Sequence, residues 1–259
     1  MRVLLLACCV TPLATIANAA DYALTLGAEF SSGDFGLPEN TDVLISSAEA
    51  SSTVEDWRYS ASLAYVRISG PTVLIAPTPV ETLQNRRPIP NPPGVAAELR
   101  TDGIADLLLS TSRTIRFPKE NALLDVSVSV KVPTGDADRF LSTGQTDVGL
   151  RADFIKRIGE FSFGLGAGYI VSGKTDRFDV QNRAQISISA FHSISDTIGL
   201  GVAAEWREPI LTGLDDITEI SFYASAPVSH QTSVVGYVLT GVTQTSPNIG
   251  GGIRITRSF

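Results

Sequence analysis

The chain has 259 residues, with 20 Lys and Arg against 27 Asp and Glu and a formal net charge of −7. That acidic balance argues against nucleic acid as a partner, because binding a phosphate backbone needs concentrated basic residues. With two cysteines and two histidines in the whole chain, thiolate or imidazole metal chemistry has little to draw on.

The N-terminus reads as an export signal. Met1 and Arg2 give a basic start, Val3 to Val10 is an apolar run, and small residues lead to Ala17, Asn18 and Ala19, a good peptidase site. This layout predicts a cleaved signal peptide over 1–19, too short for a spanning helix. A buried N-terminal helix is the alternative. Cleavage would remove Arg2, Cys8 and Cys9, leaving 19 basic against 27 acidic residues, a net charge of −8, and no thiol. Cysteine nucleophiles and disulfides are then excluded. The longest later stretch without Asp, Glu, Lys or Arg runs from Ile220 to Ile253. It contains Pro227 and Pro247 and is rich in Ser, Thr and Gly, unlike a membrane helix.

From residue 20 onward the dominant pattern is alternation with period two in stretches of roughly ten residues. Leu124, Val126, Val128, Val130 and Val132 alternate with Asp125, Ser127, Ser129 and Lys131. Phe161, Phe163, Leu165, Ala167 and Tyr169 alternate with Ser162, Gly164, Gly166 and Gly168. Leu200, Val202, Ala204 and Trp206 alternate with Gly201, Ala203 and Glu205. In chain order the strands are expected near 21–31, 42–53, 57–69, 102–115, 121–133, 146–157, 160–172, 180–193, 196–207, 217–228, 231–243 and 248–259. The strand at 42–53 is rich in Ser, and that at 231–243 is apolar on both faces, so ten or fourteen strands remain open.

Alternation alone does not separate a soluble sandwich from a membrane barrel. Three further features favour the barrel. Tyr22 and Phe30, Trp57 and Tyr65, and Phe161 and Tyr169 are each eight residues apart on one face. At about 3.4 Å per residue and a tilt near 40°, that separation is about 21 Å along the membrane normal, close to the ~25 Å between aromatic girdles. Short and long connections alternate, as periplasmic turns and outer loops do. Ile249, Gly251, Ile253 and Ile255 alternate down to Phe259, which is similar to the terminal signal read by the barrel-assembly machinery, although Arg257 departs from its usual apolar residue. The expected fold is therefore all-β, a transmembrane antiparallel up-and-down β-barrel of about 12 strands, occupying 20–259 as one domain with a long outer loop at 70–101. That loop holds Pro71, Pro77, Pro79, Pro88, Pro90, Pro92 and Pro93, so it should stay out of the barrel ladder.

The polar faces carry charges in mid-strand. Glu29, Arg58, Asp106, Asp125, Lys131, Arg151, Asp153, Arg183, Glu205, Glu219 and Arg254 are the lumen-facing candidates. Both signs occur, so a filter of one sign is not indicated. Twelve strands enclose more than the eight that side chains just fill and less than the 16–18 that leave an open channel. Inward Gly and Ser residues should leave volume unfilled. A narrow pore and a solid plug of ion pairs are the two readings.

In sequence, Tyr65 to Pro71, Asp102 to Leu107, Lys131 to Asp136 and Ser142 to Leu150, followed by Tyr223 to Ser225 and Phe259, resemble the outer-membrane transporters named after the phenol meta-degradation pathway. The resemblance runs from about Tyr22 to Phe259 and is strongest over 131–150. It implies an outer-membrane barrel concerned with transport. Pro133, Thr134, Gly135, Asp136, Gln145 and Asp147 are its outer-loop candidates, with Gly135 and Asp136 suited to a turn. The acidic group Asp136, Asp138, Asp147 and Asp153 leaves a calcium site as the alternative to a turn.

Enzymatic chemistry is not expected. His192 and His230 fall at the expected periplasmic end, away from any outer-leaflet serine, and they lack zinc-ligand spacing. No cofactor and no metal are expected. The expected function is passive transport of small solutes, aromatic or hydrophobic ones included, across the outer membrane of a Gram-negative bacterium. A non-transporting structural or surface-binding barrel is the alternative. The expected partners are outer-membrane lipid, the barrel-assembly machinery and the small-molecule solute.

Overall fold

The computed structural model describes residues 21–35, 39–70, 73–74, 88–89, 99–177, 179–195 and 197–259. The expected signal segment 1–19 and most of the loop 70–101 lie outside the described residues. The period-two stretches form β1 (Asp21–Gly33), β2 (Thr41–Val54) and β3 (Trp57–Gly70). A separate two-residue ladder follows, β4 (Val73–Leu74) with β5 (Pro88–Ile89), outside the main sheet. The main sheet continues through β6 (Leu99–Ile104), β7 (Leu107–Phe117), β8 (Ala122–Val132), β9 (Asp147–Ile158) and β10 (Phe161–Val171). It ends with β11 (Arg183–Ser193), β12 (Gly199–Arg207), β13 (Ile217–Pro227), β14 (Thr232–Gly241) and β15 (Ile249–Ser258).

Each strand pairs antiparallel with its neighbours. The sheet closes where β1 meets β15, from Ala23 opposite Ser258 to Ser32 opposite Ile249. β6 and β7 both pair with β3 and act as one interrupted strand, so the barrel has twelve. The interruption is a bulge. Ser62 pairs with Leu108 and Tyr65 with Ile104, so Leu63 and Ala64 face three residues, Ala105, Asp106 and Leu107. One extra residue reverses the alternation, and outward positions change from odd numbers in β7 to even numbers in β6. Beyond the bulge β8 has ended, and the segment 133–146 takes its place beside β6.

The connections obey the expected rhythm. Tight turns at one end use Glu55, Asn121 and Gly159 in left-handed backbone, with φ of 56°, 49° and 62°. Short turns mark the periplasmic end of such a barrel and longer loops the outer end. The outward face decides between membrane and water. Leu165 and Ile188 are 55 % and 58 % exposed at mid-strand, and Leu150, opposite Tyr169, is 57 % exposed, all within a band of outward Leu, Ile, Val and aromatic residues. A soluble sandwich would bury such a band, whereas lipid takes it up.

Two strands owe their odd composition to the interior. β2 turns Ser46, Ala48, Ala50 and Ser52 outward because Val43 and Ile45 pack inside. β14 is apolar on both faces because Tyr237 and Leu239 join Phe191 and Tyr223 within the lumen, with Val235 packed against them.

Candidate functional site in the barrel lumen

Inward positions in the middle of the barrel carry short hydroxyl side chains. Ser60 and Ser110 share a hydrogen bond of 2.7 Å across β3 and β7, and Thr25 and Thr256 one of 2.9 Å across the closing seam. Charges sit among them as local pairs. Arg58 donates to Glu49 at 2.7 Å, and Arg151 makes a two-nitrogen contact with Asp153 while also donating to Ser187 at 2.7 Å. Asp125 accepts from the Thr114 hydroxyl. All these groups are partly open to water except Asp125, which is buried.

Toward the outer end the lumen fills. Lys131 lies 3.3 Å from Asp106 and 3.1 Å from Asp147, and donates to the Thr143 hydroxyl at 2.9 Å. Asp106 also accepts from the Ser142 hydroxyl at 2.8 Å and the Gly135 amide at 2.9 Å. Asp147 accepts from the Gly173 amide at 3.0 Å. The bulge places Asp106 in this group, and the three charged residues are all buried. Since Ser142, Thr143 and Gly135 belong to the segment 133–146, the charges hold that loop down. Its Leu141 is buried against inward Val43, Ile45, Ala64, Val66 and Ile68 and against Ala105. The β8–β9 loop therefore folds into the mouth of the barrel.

A second buried group lies farther round the wall, on β12 and β13. Arg207 is 1 % exposed and bridges Glu205 at 3.3 Å and Glu219 at 3.2 Å; Glu219 is wholly buried. Arg183 is buried on the adjoining strand β11, and Glu29 pairs with Arg254 at 3.5 Å. Every mid-strand charge expected to face inward occupies an inward position.

The inward glycines differ from expectation. They leave little empty space, because neighbouring side chains occupy it. The Tyr223 ring covers Gly201, the Phe191 ring covers Gly199, and Tyr237 covers Gly252. A Cβ on Gly27 would come within 2.5 Å of the Ser47 hydroxyl, and one on Gly149 would meet Ser129 at the same distance. Phe191 and Tyr223 stack with centroids 6.1 Å apart.

The outer-loop candidates divide. Pro133 is exposed. The Thr134 hydroxyl accepts from the Leu107 amide at 2.9 Å and donates to the Ala105 carbonyl at 3.3 Å, pinning the bulge. Asp136 caps the amides of Asp138 and Arg139, and the Gln145 amide donates to Thr143. Asp147 is not a loop residue: it opens β9 and faces inward. The four carboxylates considered for calcium have separate partners, Asp138 with Arg177, Asp147 with Lys131 and Asp153 with Arg151, while Asp136 caps its own turn. His192 stacks outward on Phe161 at the periplasmic rim, centroids 4.4 Å apart, and His230 is exposed in the β13–β14 turn. Sequence reasoning missed Glu49, Leu141, Arg207, Phe191 and Tyr237 as lumen residues. Glu49, Arg207, Phe191 and Tyr237 fall on recognised strands, and only the loop's path reveals Leu141.

No protein-family model matches the chain, and no curated protein matches it in sequence. Solved structures do resemble it. An outer-membrane channel of Pseudomonas putida F1 superposes with a TM-score of 0.66 at 13 % identity, over 95 % of this chain and 97 % of that one. The KdgM porin gives 0.53 at 8 % identity over 92 % and 99 %, and the NanC porin 0.53 at 9 % over 91 % and 98 %. At such identities the likeness is one of architecture: the chain is a closed twelve-stranded antiparallel β-barrel, and the barrel fold is what it shares with these structures.

Proposed function

We propose that this barrel is a passive channel for small solutes in the outer membrane of a Gram-negative bacterium. The observation that carries the reading is the set of water-accessible short hydroxyl side chains on the inner wall of β3, β7, β8 and β11: Ser60, Ser110, Ser112, Ser127, Ser129 and Ser187, all inward and all partly exposed. A barrel serving only as a wall would fill that section with larger groups. The inward-folded 133–146 segment narrows the outer mouth and sets the passing size. Its likeness in sequence to the transporters named after the phenol meta-degradation pathway supports solutes that include aromatic or hydrophobic molecules. The dense ion pairing of the outer half favours a second reading, a non-transporting barrel whose loops bind a partner. Conductance in planar bilayers separates the two, and a liposome-swelling series of sugars, carboxylates and phenols ranks the solutes. A bilayer containing folded protein but showing no conductance, together with no swelling for any solute, would leave the second reading.

A further inference from the structure

On the outside of the barrel, at its outer rim, two arginines stand apart from the other described arginines. Arg67 in β3 and Arg100 in β6 are exposed. Neither makes a hydrogen bond, a salt bridge or a ring contact among the described residues. Every other described arginine has at least one such partner. Arg67 lies opposite Asp102 and Arg100 opposite Ser69, so the two arginines are diagonal neighbours on the same outward face, about 7–8 Å apart. Two like charges at that spacing repel, and the carboxylate beside both, Asp102, is shared among Arg67, Arg100, the Tyr65 hydroxyl and Arg139 at 3.6 Å. Asp42, opposite Ser69 on β2, is the carboxylate on the neighbouring strand. Three guanidinium groups, counting Arg139, thus stand against two carboxylates in this described part of the rim.

Depth identifies the occupant. Tyr65, 42 % exposed, points outward on the rung below Arg67. It marks the aromatic girdle at the edge of the hydrocarbon. Arg67 is then about 5 Å and Arg100 about 10 Å farther out along the normal, at headgroup level. A charge on the lipid face costs little there, against about 2–4 kcal/mol at mid-bilayer for a membrane-facing arginine. We propose that Arg67 and Arg100, with Arg139 beside them, bind phosphate groups carried on the saccharide headgroups of outer-leaflet lipid. Guanidinium forks fit phosphate oxygens in pairs. The proposal rests on the outer-membrane placement but not on the pore being open.

The test uses the full chain in phosphatidylcholine nanodiscs, titrated with bisphosphorylated lipid A or with chemically dephosphorylated lipid A, bound lipid being counted by native mass spectrometry. The wild type should prefer the phosphorylated lipid, a comparison that needs no variant. Arg67→Gln/Arg100→Gln should lose about thirtyfold in that affinity, the factor for two near-surface basic residues. Arg113→Gln, at the opposite rim, should change nothing. Equal binding of both lipids by the wild type, or unchanged affinity in the double variant with the barrel still heat-modifiable, overturns the site. Competition by inorganic phosphate as effective as that of lipid A overturns the lipid assignment. Conductance of the same preparations reports on the channel separately: loss of lipid binding with conductance intact is the expected pair.

Discussion

Replacing Lys131 with methionine keeps an unbranched side chain one atom shorter and removes its charge, which isolates what the ammonium does at the outer mouth. In the native barrel that group lies 3.3 Å from Asp106 and 3.1 Å from Asp147, with all three residues buried. Removing one partner of a buried pair costs about 3–5 kcal/mol, because the remaining charge is left uncompensated. Here two carboxylates are stranded. Each keeps neutral donors, Ser142 and the Gly135 amide for Asp106 and the Gly173 amide for Asp147, so the lower end, about 3 kcal/mol, is the expected loss. Urea unfolding of the refolded protein in detergent should register it as a lower midpoint at unchanged slope. Adding Asp106→Asn should recover part of the loss, since one stranded charge is gone. The same variant loosens 133–146 by removing the ammonium's bond to Thr143, so bilayer conductance should rise. A midpoint equivalent to less than about 1 kcal/mol of destabilisation would mean that the carboxylates are hydrated or differently paired, and the account of the loop as held by charge would fall.

Three further outcomes follow from the wall itself. Leu165→Arg places a charge in the outward apolar band and should destabilise the inserted barrel by about 2–4 kcal/mol, measured by folding into vesicles; an insignificant change would place that face in water. Gly201→Val should displace the Tyr223 ring that covers the glycine, costing about 1–3 kcal/mol as overpacking does, and a neutral effect on the thermal midpoint would show the ring free to swing away. The Phe259 amide donates to the Tyr22 carbonyl at 2.8 Å, at the end of the closing seam. Deleting Phe259 should sharply lower the yield of heat-modifiable, inserted barrel, and normal insertion would remove its role as an assembly signal.

Much of this architecture is local in origin, and local features are what a sequence displays. Side chains on an extended backbone alternate between faces whatever surrounds them. The runs at 124–132 and 161–169 therefore announce strands, and Asp125, Lys131, Arg151 and Glu205 mark an inward polar face without reference to any partner strand. The exposed outward band then settles membrane against water, because it shows where the apolar face ends up.

What alternation does not carry is register. One extra residue at Ala105–Asp106 reverses the facing of β6 relative to β7 and sets Asp106 beside Lys131, and that count of two residues against three exists only across two strands. The path of 133–146 has the same origin: Leu141 turns inward because β8 ends at Val132 while β6 continues, leaving a place that apolar Val43, Ile45, Val66 and Ile68 line. From the chain alone the inward glycines read as empty volume. Paired strands bring Phe191, Tyr223 and Tyr237 over them, since a ring lies flat against the wall only where its neighbour has no Cβ. Which face a residue takes follows from its own strand, whereas which residue it meets follows from long-range pairing, and the width of the passage depends on the second.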